Sequence, residues 1–414
     1  MDNIRINTER LWASLMEMAE IGATAAGGSC RLALTQEDRE GRDLFKRWCE
    51  EAGCTVIVDQ VGNMFATRPG SSGDKLKPPV ATGSHLDTQP KGGKFDGVFG
   101  VIAGLEVIRT LNDHGIHTDA PIEVINWTNE EGSRFAPAML ASGVFAGLFE
   151  KDYAFDRTDT AGVRFDEALR DIGYAGDLEP GDRKFRALFE AHIEQGPILE
   201  RHEETIGVVT GGQGQRWYDV SIEGRDSHTG TTPMDARRDA LAAAAVLISD
   251  VEKIAHAHAP GVATVGALTV SPNSRNTIPG HVDMTIDIRH PDDAALSAMA
   301  AAVAASRDAI TAQRGVEIAL DEIWYSPPTP FDPECIGAVK KATETLGYTH
   351  REMVSGAGHD AIQVASVAPT AMIFVPCEDG LSHNEAESAT PADLAAGCNV
   401  LLHAMLERAG VVNN

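Results

Sequence analysis

The chain has only six cysteines in 414 residues, and no two of them form a CxxC pair. Cys30, Cys49, Cys54, Cys335, Cys377 and Cys398 are scattered, and the nearest two, Cys49 and Cys54, flank an expected helix end. That pattern speaks against a disulfide framework or a thiolate metal cluster, and free thiols in a reducing compartment are expected. Basic residues are also scarce: 35 Lys and Arg face 61 Asp and Glu, for a net charge of −26. A surface this acidic repels phosphate backbones, so nucleic acid is not an expected partner. No apolar run approaches the roughly 20 residues that a membrane span needs. The stretch MDNIRINTERLWASLMEMAE is charged and amphipathic and lacks the apolar centre of a signal peptide. The expectation is a cytoplasmic protein without a membrane partner. Internal repeats are absent too.

What remains is a chain of which 43% is hydrophobic, ample for a core and long for one domain. Its first half alternates strand and helix. Helices are expected at 7–21 and 35–52, the second capped by Thr35, with two strands within 55–68 joined by a turn at Gly62-Asn63. An exposed loop or hairpin is expected at 70–79, then a strand at Val80–Thr82, a helix from Val98 to Asn112 and a strand at Ile122–Trp127. A helix at 134–149 and strands at 187–193 and 206–210 follow. This rhythm predicts a mainly parallel α/β sheet covered on both faces. After Gly211-Gly212-Gln213-Gly214, which reads as a hinge, the order becomes βαββαβ. Its elements are expected at 217–223, 234–256, 263–270, 282–289, 292–313 and 316–324, a ferredoxin-like unit. Helices at 333–346, 359–366 and 391–408 and a strand at 370–375 then complete the first domain. The expected division is 1–212 and 328–414 for the α/β domain, with 213–327 inserted.

GSHLDTQPKGGKFDG (83–97) sits where a strand runs into a helix, the place where open α/β sheets bind ligands. It brings His85, Asp87 and Asp96. WTNEEGSRF (127–135) places Glu130 and Glu131 side by side after another strand, where a turn lets both reach one site from different directions. AHIEQGPILE (191–200) ends a third strand with His192, and LSHNEAE (381–387) carries His383 in the loop before the last helix. Singly, each is an ordinary polar turn. Together, His85, Asp96, Glu131, His192 and His383 form the imidazole and carboxylate donor set of zinc, cobalt, nickel or manganese. Five ligands with one bridging carboxylate suit a two-metal hydrolase. Glu130 is then the spare carboxylate, suited to act as general base, and Asp87 is placed to orient the His85 ring.

GSHLDT, GGKFDG, NEEGSRF, AHIEQGPILE, SHTGTTPM and SHNE, in this order, resemble the amidase/hydantoinase/carbamoylase family. The resemblance spans nearly the whole chain. It implies a zinc-aminopeptidase-like mixed sheet with helices on both faces and an inserted lid and dimerisation domain. It implies a hydrolase of N-carbamoyl-L-amino acids, with N-carbamoyl-β-alanine and allantoate as alternative substrates, two divalent metals per subunit and a homodimer. A peptidase, an N-acyl amino acid deacylase or a non-catalytic metal-binding protein are the rival readings. The resemblance also makes Asp96 the bridge, with His85 and His192 on different metals. It adds residues that spacing cannot supply. His228 in SHTGTTPM would steady an oxyanion, Asn276 in SRNTIPG and Arg289 in DIRH would hold a carboxylate, and Gln195, Gly358 and His359 would line the substrate.

Overall fold

A computed structural model describes residues 3–71 and 77–412, so part of the expected 70–79 loop lies outside the described residues. The chain divides into two compact units, one of residues 1–211 and 330–414 and one of residues 212–329.

The larger unit is built on a mixed sheet. Its strands run in the spatial order Thr55–Val58, Met64–Arg68, Ile122–Trp127, Val80–His85, Ala187–Ile193, Thr370–Val375 and Ile206–Gly212. The four central strands, Ile122–Trp127 to Thr370–Val375, are mutually parallel, and the flanking pairs are antiparallel. Every residue of those four strands is buried, as expected of parallel strands covered on both faces. Alternate side chains feed two cores. Val80, Val124, Phe189 and Ile373 pack with the helices Val98–Asp113 and Pro391–Ala409. Ala81, Ile125, Leu188 and Met372 pack on the other side with Leu140–Phe145 and Asp360–Val364. Side-chain caps set the helix starts: Asn7, Thr35 and Thr390 accept N–H groups of the first turns. The parallel register places His85 opposite Trp127 and His192 opposite Phe374, so these strands end together and present their following loops along one edge.

The smaller unit has an antiparallel sheet in the order Leu268–Ser271, His281–His290, Gly214–Glu223, Glu317–Ser326, with Val262–Thr264 also on His281–His290. Helices Ala240–Ala257 and Asp293–Arg314 pack on one face around Tyr218, Val220, Ile222 and Ile286. This is the βαββαβ arrangement the sequence suggests.

Several elements differ from expectation. The helix expected at 134–149 is only Leu140–Phe145. Pro137 offers no N–H, Met139 has a positive φ of 52°, and Asn129 holds the Phe135 carbonyl at 2.7 Å, so 134–139 forms a loop. The helix expected from 234 begins at Ala240, where Asp239 caps it. The strand expected at 263–270 is two pieces, Val262–Thr264 and Leu268–Ser271. His350–Ser355 is a strand where none is expected, on the sheet edge beside Ile206–Gly212.

Candidate metal centre

The strand Val80–His85 delivers His85 to the parallel edge, and its ring is fixed at once. Nδ1 lies 2.8 Å from the backbone carbonyl of Asp87, so Nδ1 carries the proton and Nε2 turns its lone pair into the site. There it faces Asp96 Oδ1 at 3.8 Å and Glu130 Oε2 at 3.5 Å. The fit is tight. Gly97 has φ 67°, and a Cβ there would lie 2.3 Å from the His85 ring, so only glycine allows this approach. His192 is held the same way. Its Nδ1 meets the Ile193 carbonyl at 2.9 Å, and its Nε2 lies 3.2 Å from Asp96 Oδ1.

Glu130 and Glu131 follow the strand Ile122–Trp127 on a turn in which Asn129 has a positive φ of 58°. The Asp87 carboxylate accepts their backbone N–H groups, Oδ1 from Glu130 and Oδ2 from Glu131, both at 3.3 Å. Asp87 therefore makes two kinds of contact. Its carbonyl orients His85, while its carboxylate, 4.0 Å from that ring at the nearest, shapes the acidic turn. The turn splits the two glutamates. Glu130 faces His85, whereas Glu131 lies 3.4 Å from His383 Nε2 and is steadied by Gln89. His383 also approaches Asp96 Oδ2 at 3.6 Å. Among the described residues three candidate ligand groups result: His85–Asp96–His192 and Asp96–Glu131–His383, which share Asp96, and Glu190–His192–His359, which shares His192 with the first.

The electrostatics call for cations. Burial pushes Asp96 up, but the imidazoles of His192 and His85 outweigh it and hold it below the usual carboxylate range. Burial pushes Glu130 and Glu131 well up, Glu130 further by Asp360 and Glu131 by Asp96, while burial lowers His85 to about 4 and keeps it neutral. Among the described residues, Asp96, Glu130 and Glu131 face histidine nitrogens, and no Lys or Arg forms an ion pair with them. Buried carboxylates in this density are retained where cations compensate them. A donor set of imidazole nitrogens and carboxylate oxygens converging in this way fits a pair of divalent metals.

The other expected site residues are placed as follows. Gln195 donates from Nε2 to Asp96 Oδ2 at 2.9 Å, so it lies in this cluster. His359 is buried, with its ring edge-on to His192 at 4.6 Å and Nε2 without a partner. It stands against His192, with which and Glu190 it forms one of the candidate ligand groups. Gly358 is exposed at the preceding turn, beside Met139. His228, Asn276 and Arg289 belong to the smaller unit. His228 Nδ1 accepts the N–H of Gly230 at 3.0 Å, which leaves Nε2–H as a free-standing donor. Asn276 adjoins it through Thr229, whose N–H donates to the Asn276 carbonyl. Arg289 is engaged in a forked pair with Asp287, at 2.7 Å from Nη2. Glu194, which shares strand spacing with His192, instead accepts the N–H groups of Ile198 and Leu199. Sequence reasoning missed Ser382 and Glu387, which touch Asp96 from the His383 loop. Both lie inside LSHNEAE, a motif read only for its histidine.

An α/β sheet carrying paired imidazole and carboxylate groups at its parallel edge is an arrangement suited to metal-dependent hydrolysis. Residues 81–407 match peptidase family M20/M25/M40, and the chain belongs to that family, whose enzymes depend on a pair of metal ions. It is 54% identical over 412 residues to the N-carbamoyl-L-amino-acid amidohydrolase of Rhizobium meliloti, covering 99% of each chain. It is 34% identical to the allantoate amidohydrolase of Bacillus subtilis, covering 93% of each. The crystal structure of an amidase of the hydantoinase/carbamoylase family from Burkholderia multivorans superposes with a TM-score of 0.95 at 59% identity, covering 98% of each chain. Among the described residues no helix is long and apolar enough to cross a membrane.

Proposed function

We propose that the chain hydrolyses the ureido C–N bond of N-carbamoyl-L-amino acids, yielding the amino acid, carbon dioxide and ammonia. The observation that carries this reading is full-length similarity, 54% identical, to an enzyme named for that reaction, joined to an intact double ligand cluster around Asp96. His85, Asp96 and His192 would hold one ion, and Asp96, Glu131 and His383 the other. We assign Zn2+ to both, and Mn2+, Co2+ or Ni2+ suit the same donors. Such a pair, when bound, acidifies a water and polarises the carbonyl it attacks.

The chain's own groups do the rest. Glu130 takes a proton from the attacking water and returns it to the leaving amino nitrogen. The carbamate released breaks down to carbon dioxide and ammonia. His228, with Nε2–H free to donate, steadies the developing oxyanion. Arg289 and Asn276 hold the substrate carboxylate, Arg289 after exchanging Asp287 for it. Gln195, Gly358 and His359 complete the substrate surroundings, His359 by bracing His192. The smaller unit acts as a lid and joins two subunits as a homodimer, its residues serving their own or the partner's site. Six free cysteines, five of them buried, suit a cytoplasmic enzyme.

The test is hydrolysis by metal-loaded protein, read as ammonia release from N-carbamoyl-L-amino acids, N-carbamoyl-β-alanine and allantoate, and as release of free amino acid from N-acyl amino acids and dipeptides as controls. Turnover fastest on an N-carbamoyl-L-amino acid is expected. Preference for allantoate would favour the second reading, which the Bacillus subtilis relative supports. Activity confined to N-acyl amino acids or dipeptides would overturn both.

A further inference from the structure

We propose that Glu387 is a positioning residue that latches the His383 loop to the Asp96 loop and thereby builds the Asp96–Glu131–His383 half of the centre. The inference rests on the metal-pair reading above. Glu387 is buried, and its Oε1 accepts two successive backbone N–H groups, from Phe95 at 2.9 Å and from Asp96 at 3.1 Å. Its carboxylate fills a cradle that a side chain would close: a Cβ on Gly93 would lie 2.1 Å from Glu387 Oε1. Its Oε2 lies 3.4 Å from Ser382 Oγ, and that hydroxyl donates to Asp96 Oδ2 at 2.7 Å. Gln195 Nε2 joins the same group, at 2.9 Å from Asp96 Oδ2 and 3.1 Å from Ser382 Oγ.

This arrangement acts unequally on the two halves. Oδ2 is the Asp96 oxygen that faces His383, while Oδ1 faces His85 and His192. His85 and His192 stand at the ends of buried strands, and their Nδ1 atoms are tied to backbone carbonyls. His383 has no such anchorage. It stands on a loop, with φ 53° and a side chain 53% exposed. What brings it to Asp96 is the seating of 381–387, and Glu387 and Ser382 are the contacts that seat it. Removing the latch therefore loosens one ion and spares the other.

The experiment is Zn2+ binding by chelator competition on the full chain, for wild type, Glu387→Ala and Glu387→Gln, with thermal melting of the metal-free forms as the control for folding. Wild type is expected to hold two ions per chain. Glu387→Ala should hold one with unchanged affinity and the other at least about tenfold more weakly, the size of effect seen when a ligand's outer partner is lost. Glu387→Gln, which keeps the shape and one accepting oxygen, should recover part of that loss. If Glu387→Ala fails to fold, Glu387→Gln decides, with selective weakening of one ion expected. Two ions held as in wild type, or both weakened equally in a folded variant, would overturn the latch. A wild type that holds fewer than two ions would instead bring down the metal-pair reading on which it stands.

Discussion

Glu130 and Glu131 are neighbours in sequence and point different ways, because the Asp87 carboxylate holds their backbone so that one faces His85 and the other His383. Glu131 falls within a ligand group and Glu130 within none. Glu130→Gln keeps size and burial and removes only the proton carrier. It should retain two ions per chain while turnover falls at least about a hundredfold. Metal content measured beside steady-state kinetics checks this, and near-normal turnover would remove Glu130 as the base. Arg289 supports a second prediction. Its guanidinium already makes the forked contact with Asp287 that it would offer a substrate carboxylate. Arg289→Lys presents a point charge instead of a fork. KM should rise at least about tenfold, with kcat changing less, because a clamp remote from the reacting carbonyl contributes chiefly to binding. An unchanged KM would place the carboxylate elsewhere.

At the scale of elements, turns hold the strand ends in place, and one of them contains a titrating group. The Asp59 carboxylate accepts N–H groups from Val61 and Asn63 and the Asn63 side-chain amide, closing the turn between Thr55–Val58 and Met64–Arg68. Burial pushes its carboxyl up to about 7 despite those hydrogen bonds. In the unfolded chain it titrates near 4. Between those values the folded chain holds a proton that the unfolded chain has lost, so this group's contribution to stability falls as pH rises. Asp59→Asn abolishes that titration. The variant should therefore gain on wild type by about 1 kcal/mol or more between pH 4.5 and 8. Denaturant unfolding of both proteins at the two pH values measures it, and a constant difference would refute it. Elements such as Ile122–Trp127 and Pro333–Leu346 were legible in the sequence, because their apolar pattern and flanking breakers agree with their tertiary surroundings. The 134–139 loop was not, since an apolar stretch there packs as a loop around the Asn129 contact. Nor was His350–Ser355, an edge strand whose side chains are mostly half-buried and show no clean alternation. The candidate ligands were legible as residue types at strand ends and in loops. Glu387 was not, because its role rests on contacts with residues nearly three hundred positions away.

At the scale of the whole molecule, a net charge of −26 favours dispersed, solvated copies, and apolar surface of any extent therefore needs a reason. Among the described residues, more than half of the exposed large apolar side chains fall in the smaller unit, including Trp217, Val262, Leu268, Ile323, Trp324 and Tyr325. Four of them lie together. Glu317–Ser326 is an edge strand of its sheet, and Ile323, Trp324 and Tyr325 follow one another along it, with Trp217 against Trp324 across the pair. A long edge strand with bulky apolar residues pairs with another chain unless something blunts it. A two-fold contact between copies would cover it and would put like on like, so the partner must bring apolar area to offset the shared negative charge. The protein should sediment as a dimer of the 44.1 kDa chain, more firmly as salt screens the acidic surfaces. Ile323→Lys, at a position 55% exposed, should leave the fold intact and weaken self-association at least about tenfold, since a charge would be buried there in the dimer. Sedimentation across a dilution series with and without salt measures both effects. A wild type that stays monomeric at every concentration would mean that this edge serves some other contact. A variant that dimerises as well as wild type would place the two-fold interface on another face.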